Sequence, residues 1–265
     1  MPAALFVTDR DRVMPTDRSR GPWSPDALHG GPVAAVMARA IERCESPVPM
    51  EVTRLTVELL KPVPLAPLLI TARVVRQGKR VQLVEARAVA GEQEVARTTG
   101  LRIRTADIPV PDQPPLPPTP TDPMAATPRP PVVTYVDGGA AYHLDGVEMR
   151  FAAGSFQGDG PSTVWMRLCQ PIVAGEEPSP LQRVAAVADF GNGISKVVPF
   201  DRYAFINPDL TIAIFRPPRG EWVGLDALSR LASNGIGQAE SLLFDEDGPL
   251  GRALQSLYVD RRKQP

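Results

Sequence analysis

The chain has 265 residues, with 29 basic and 30 acidic side chains and a formal charge of −1. It carries no bulk charge of the kind that draws a protein to nucleic acid or to an anionic membrane. Hydrophobic residues make up 43% and charged residues 22%, an ordinary balance for a globular protein of one large domain or two of roughly 120 residues. Two cysteines, Cys44 and Cys169, are too few for a disulfide framework or a cysteine zinc site, and both read as buried reduced thiols. The start, MPAALFVTDRDR, turns charged too early for a signal peptide, and no run nears the roughly 18 apolar residues of a membrane span. A soluble protein of the cytoplasm is expected.

Along the chain, the first strong signal is HGGPVAAVMARAIERC. Val33, Val36, Met37, Ala40 and Ile41 recur at helical spacing and make one apolar face. Gly30-Gly31-Pro32 suits the start of that helix. The period then changes. TRLTVELLKP and LLITARVVRQGKRVQLVEARAVAGEQEVARTTGLRIR are alternating, β-branched runs separated by turn signals at Gly78-Lys79 and Gly91-Glu92. They read as antiparallel strands joined by hairpins, so the first half is an α+β unit.

Many of the 31 prolines fall between Ile108 and Pro131, a stretch that favours extended polyproline II and reads as a semi-rigid connector. Beyond it the order of signals repeats. YHLDGVEMRFAAG and STVWMRLCQP read as leading strands. SPLQRVAAVADFGNG reads as a helix with Leu181, Val184, Ala185 and Ala188 on one face, ended by Gly191 or Gly193. LTIAIFRP then parallels LTVELLKP at a distance of 155 residues, whereas the helices lie 148 apart. The expected organisation is an N-terminal unit over 1–107, a linker over 108–131 and a duplicated C-terminal unit over 132–265.

A long helix wrapped by an antiparallel sheet, repeated in tandem, resembles the double hotdog fold: α+β, with two long central helices, each wrapped by its own sheet. HGGPVAAVMA, LTVELLKPVP and GKRVQLVEARAV look like the first hotdog of acyl-CoA thioesterases. VADFGNG, INPDLTIAIFRP and DEDGPLGRALQSLYVDRR look like the catalytic hotdog of the acyl-CoA thioesterase II family, the TesB-like enzymes. The resemblance implies hydrolysis of fatty acyl-CoA, or of an acyl-carrier thioester, by carboxylate-activated water. It implies no metal and no cofactor apart from the coenzyme A of the substrate. A homo-oligomer is also expected, because sheet edges and outer faces invite pairing.

Asp189 is the leading candidate from the residues themselves. It continues the apolar stripe of the second helix, where the first copy places Ile41. A carboxylate against a core is costly unless paired, which makes it a site candidate. The resemblance implies that a hydroxyl residue on the next strand and a glutamine on the last strand complete a water-holding triad. The glutamine matches Gln255. The hydroxyl position falls at Asn207, an amide in place of a hydroxyl, with Asp209 and Thr211 within a two-residue shift. Gly30 and Gly31 are expected to offer backbone N–H groups to the oxyanion, the thioester carbonyl meeting the Gly31 amide. His29 reads as a helix cap or as a contact to the acyl carbonyl.

Other chemistries fit less well. The string Gly154-Ser155-Phe156-Gln157-Gly158 has its serine one place too early for a nucleophile elbow, and the chain holds only His29 and His143 as bases. Asp26 and His29 are spaced wrongly for a hotdog hydratase, and Gly78-Lys79-Arg80 lacks the spacing of a P-loop. The rival reading is a catalytically silent double hotdog that binds acyl-CoA or an acyl carrier. Convergence of Asp189, Asn207 and Gln255 on one reachable pocket is the feature that separates the two.

Overall fold

The computed structural model describes residues 3–129 and 139–262. The chain opens with a hairpin of β1 (Phe6–Asp9) and β2 (Arg12–Pro15), followed by α1 (Gly30–Glu42). Four long strands follow: β3 (Met50–Leu59), β4 (Leu68–Arg76), β5 (Val81–Ala90) and β6 (Gln93–Arg104). The hairpin at Gly91 takes φ +60°, a left-handed conformation that glycine enters without steric penalty. α1 forms where the periodicity places it. Besides the predicted apolar face it buries Ala34, Ala35 and Ala38, because the helix is sandwiched between the sheet and a second helix.

Residues 105–122 contain no helix or strand, as the proline content requires. The end of this stretch joins the second half: Ala126 packs with Trp165, Trp222 and Phe244, and β7 (Thr127–Pro128) pairs with the next strand. The boundary assigned at 131/132 lies outside the described residues.

The second half contains β8 (Val147–Ala153), β9 (Ser162–Leu168), α2 (Pro180–Ala188) and α3 (Gly191–Ile194). After these come β10 (Tyr203–Ile206), β11 (Asp209–Ile214), β12 (Val223–Leu231), β13 (Ile236–Asp245) and β14 (Gly248–Arg261).

Two local expectations fail here. Tyr142–Gly146 is a wide helical turn instead of strand; Asp145 accepts from the Ala141 N–H, and Arg129 donates to the carbonyls of His143 and Leu144. The second helix stops at Ala188, with Asp189 as its C-cap, and restarts as α3. Neither Gly191 nor Gly193 takes a positive φ. Gly191 is small for a tertiary reason: a Cβ there would lie 2.8 Å from Gln255 Oε1 and 2.9 Å from Ser241 Oγ.

The strands form one continuous antiparallel sheet in the order β1-β2-β4-β5-β6-β3-β11-β14-β13-β12-β9-β8-β7, with β10 on β14. The order is mirrored about the β3–β11 joint. Pairs Arg73–Glu85 and Glu85–Thr99 in the first half recur as Leu228–Glu240 and Glu240–Leu254, each residue displaced by 155. At the joint Thr56 pairs with Thr211, its own counterpart, so the internal dyad passes between them. α1 and α2 lie against each other on one face of the sheet, and the main core fills the space between.

The cysteines depart from expectation. Both are free, but Cys44 is half-buried and Cys169 exposed, because Cys169 follows the end of β9 and leaves the core. Among the described residues no helix is long and apolar enough to cross a membrane.

Candidate active site

The site forms where the end of α2 meets the start of α1. Gly31 permits the approach, since a side chain there would run into the carbonyl oxygen of Ala186. Gly30 leaves room for the carboxylate of Asp189, whose Oδ2 would lie 2.6 Å from a Cβ at that position. Both glycines therefore serve close packing of α1 on the end of α2, and that packing puts the start of α1 beside an acid.

Asp189 is 5% exposed. Its Oδ1 accepts from Asn207 Nδ2 at 2.8 Å and from Gln255 Nε2 at 3.3 Å. Gln255, whose strand position alone would suggest a solvated side chain, is 1% exposed because it projects inward from β14. Asn192 fixes the sense of both amides. Its backbone N–H donates to Gln255 Oε1 at 3.0 Å, and its side chain donates to Asn207 Oδ1 at 3.3 Å. With their oxygens taken, both amides must turn their NH2 groups toward Asp189. Such donors offset the desolvation of a buried carboxylate.

The neighbouring candidates are occupied elsewhere. Asp209 Oδ1 accepts from the Ser256 N–H at 2.8 Å, and Thr211 faces Thr56 across the sheet joint at 3.4 Å. Asn207, in the link between β10 and β11, is therefore the residue that reaches the acid from this part of the chain.

His29 caps α1: its Nδ1 accepts from the Gly31 N–H at 3.0 Å and also lies 3.0 Å from Asp189 Oδ2. One ring nitrogen cannot serve a donor and an acceptor with the same lone pair. As a bare nitrogen Nδ1 binds Gly31; as N–H it binds Asp189. The expected Gly31 oxyanion contact meets this obstacle, because its amide is engaged by the cap. The Gly30 amide has no hydrogen-bond partner among the described residues.

A cavity of about 700 Å³ opens on this group, with His29, Gly30, Asp189, Asn192 and Asn207 in its wall. The rest of the wall is mostly apolar. Trp23 lies 4.8 Å from Phe200 and 5.2 Å from Phe205, ring to ring, and Phe190 lies 4.6 Å from His29. Lys61, exposed, stands at the rim. The wall takes α1 and the Leu60–Val63 turn from the first half, and Asp189 and Asn207 from the second. Gly78-Lys79-Arg80 does not line it. Among the described residues no group of three His, Cys, Asp or Glu side chains is placed to hold a metal ion.

Asn192 and His143 are site residues that the sequence did not disclose. Asn192 sits in GNG just after Asp189, where it read as turn; His143 stood in a segment read as strand.

Solved structures share this architecture. A hotdog-fold protein of unknown function from Alicyclobacillus acidocaldarius matches with a TM-score of 0.72 at 17% identity, over 98% of this chain and 96% of that one. The tesB protein of Mycobacterium avium subspecies paratuberculosis matches at 0.67 and 15%, over 94% and 92%. An acyl-CoA thioesterase II from Mycobacterium marinum matches at 0.64 and 17%, over 90% and 92%. At these identities the likeness establishes a hotdog fold. Among curated proteins none matches the chain in sequence. The family model described as the acyl-CoA thioesterase N-terminal domain matches residues 19–103, and the one described as the acyl-CoA thioesterase C-terminal domain matches 111–259. The chain belongs to the acyl-CoA thioesterase family.

Proposed function

We propose that the chain is a tandem double hotdog that hydrolyses fatty acyl-CoA to the free acid and coenzyme A, with Asp189 as the base. One observation carries this reading: a buried carboxylate, held by two side-chain amides, stands in the wall of a largely apolar cavity at a helix N-terminus. The acyl chain lies against the aromatic wall, and its carbonyl carbon faces a water beside Asp189. Asn207 and Gln255 hold the carboxylate and aim it. Water attacks, Asp189 takes its proton, and the negative oxygen of the tetrahedral intermediate is met by the Gly30 amide. The intermediate collapses and expels the thiolate, a fair leaving group because thiols ionise near pH 8.5. The reaction so written calls for no separate cofactor.

Thiol release from short, medium and long acyl-CoA esters tests this. Asp189→Asn keeps the side-chain volume and is expected to lower turnover about 10²- to 10⁴-fold without loss of folding. Wild type that turns over no ester, yet melts at a higher temperature with acyl-CoA present, would leave the silent binding protein.

A further inference from the structure

His143 is the buried polar residue of the cavity that the mechanism leaves unused. It is 7% exposed and stands in the cavity wall. Among the described residues its Nδ1 is sealed from solvent and has no hydrogen-bond partner. The other buried polar side chains of that wall have partners: His29 with Gly31 or Asp189, Asn192 with Asn207, and Asn207 with Asp189. An orphaned buried nitrogen is a rarity that asks for an explanation. Its backbone is firmly held, since Arg129 binds the carbonyls of His143 and Leu144.

The ring's proton can be placed. Burial, followed by the charges of His29 and Arg129, pushes the His143 pKa down to about 3, so the imidazole is neutral across the physiological range. A neutral ring has one N–H. A sealed nitrogen without an acceptor tolerates a bare lone pair better than an unpaired N–H. The proton therefore sits on Nε2, which has no hydrogen-bond partner among the described residues and is not among the sealed atoms, on a ring whose residue lines the cavity.

The position is at the reacting end. The adjacent Tyr142 packs its ring edge-on to His29 at 5.1 Å, and His29 touches Asp189. We propose that His143 is a further catalytic residue of this site, its Nε2–H donating a hydrogen bond to the thioester carbonyl oxygen opposite the Gly30 amide. The contact strengthens as that oxygen becomes negative, and the proton stays on the ring throughout. A neutral imidazole suits this task better than a cation, which would hold the carboxylate product.

This assignment rests on the thioesterase reading, so the test separates the two. Wild type, His143→Phe and His143→Gln are compared in thiol release and in binding of two stable analogues. One is a ketone, with the thioester sulfur replaced by methylene; the other is an S-alkyl coenzyme A with no carbonyl. His143→Phe is expected to lower kcat about 10²- to 10³-fold with KM changed only a few-fold. It should weaken the ketone and leave the S-alkyl analogue unaffected, and His143→Gln, which restores an N–H, should recover part of both losses. The Phe variant should melt no lower than wild type, since it removes an orphaned nitrogen. Unchanged kcat, equal weakening of both analogues, or no rescue by Gln would overturn the proposal. If wild type turns over no ester while the ketone preference still depends on His143, the hydrolysis reading falls and the contact stands. Wild type that binds neither analogue overturns both.

Discussion

The two halves share one strand framework and use equivalent positions in opposite ways. At the 155-residue displacement, Gln255 corresponds to Gly100 and Asn207 to Val52, and Asp189 takes the place of Ile41 on the helix. In the first half Ile41 fills the space that Gly100 leaves, at 2.5 Å from where a Cβ would stand, and Val52 is buried nearby. In the second half the same space holds an acid and two amides that satisfy one another. The helix ends differ in the same sense. Arg102 plugs the end of α1 by donating to the carbonyls of Ile41 and Cys44, whereas its counterpart is the apolar Leu257 and the chain runs on into α3. At the far end of the helix pair, Glu42 meets the start of α2, where Ser179 and Gln182 bind it at 2.7–2.8 Å. That carboxylate is a lock, and only its opposite number opens on a cavity. A buried acid–amide cluster and a packed apolar core are thus alternative fillings of one frame.

Copying the first half into the second gives the largest expected effect. Asp189→Ile, Asn207→Val and Gln255→Gly together should abolish thiol release, a loss of about 10²- to 10⁴-fold or more, in a chain that still melts cooperatively. Retained turnover would show that this frame is not the reacting centre. A smaller change isolates the organiser: Asn192→Leu frees the Asn207 amide to rotate, and misaimed groups of this kind cost about 10²-fold or less in kcat. If kcat is unchanged, Asn192 is only packing.

The converse exchange should touch stability alone. Arg102→Leu imitates Leu257 and removes the side-chain donor to the carbonyls of Ile41 and Cys44 and to Gln82, at about 1–3 kcal/mol in all, with a fall of several degrees in Tm and unaltered turnover per folded molecule. A chemical or thermal melt reads it, and lost turnover in the folded variant would mean that the closed end shapes the open one.

The smallest effect concerns acid. Asp245, fully buried, is held below the usual carboxylate range: burial opposes the charge, but Arg216 at 2.6 Å and the N–H groups of Arg219 and Asp247 outweigh it. The folded pKa lies below the unfolded one, so its stabilisation is present above about pH 4 and is lost as pH falls further. The first half has Lys61 and Ala90 at these places and no such pair. Asp245→Asn should therefore lower Tm at neutral pH and flatten its decline in acid.

Much of this frame is legible in the residues because it rests on local periodicity. The α1 stripe, the hairpins at Gly78 and Gly91 and the 155-residue displacement all follow from spacing. The site is less so, because tertiary contacts decide it. Gly191 read as a helix stop, yet it is small because Gln255 and Ser241 crowd it. Gln255 alternates like a solvated strand residue and is buried because α3 covers β14. Asn192 shows its role only when Asn207 and Gln255, 15 and 63 residues on, are folded against it. The turn at Tyr142–Gly146 depends on Arg129 and Asp145, which no periodicity announces.

The Thr56–Thr211 pairing on the dyad has a genetic consequence. Were the two halves identical chains meeting at this joint, every codon would be expressed at both ends of the helix pair. A single position would have to be aspartate for the proposed chemistry and isoleucine for the core, and any compromise would be imposed twice. Joining the copies in one reading frame lifts that obligation. One end can be traded toward stability and the other toward reactivity, each by mutations the other never sees.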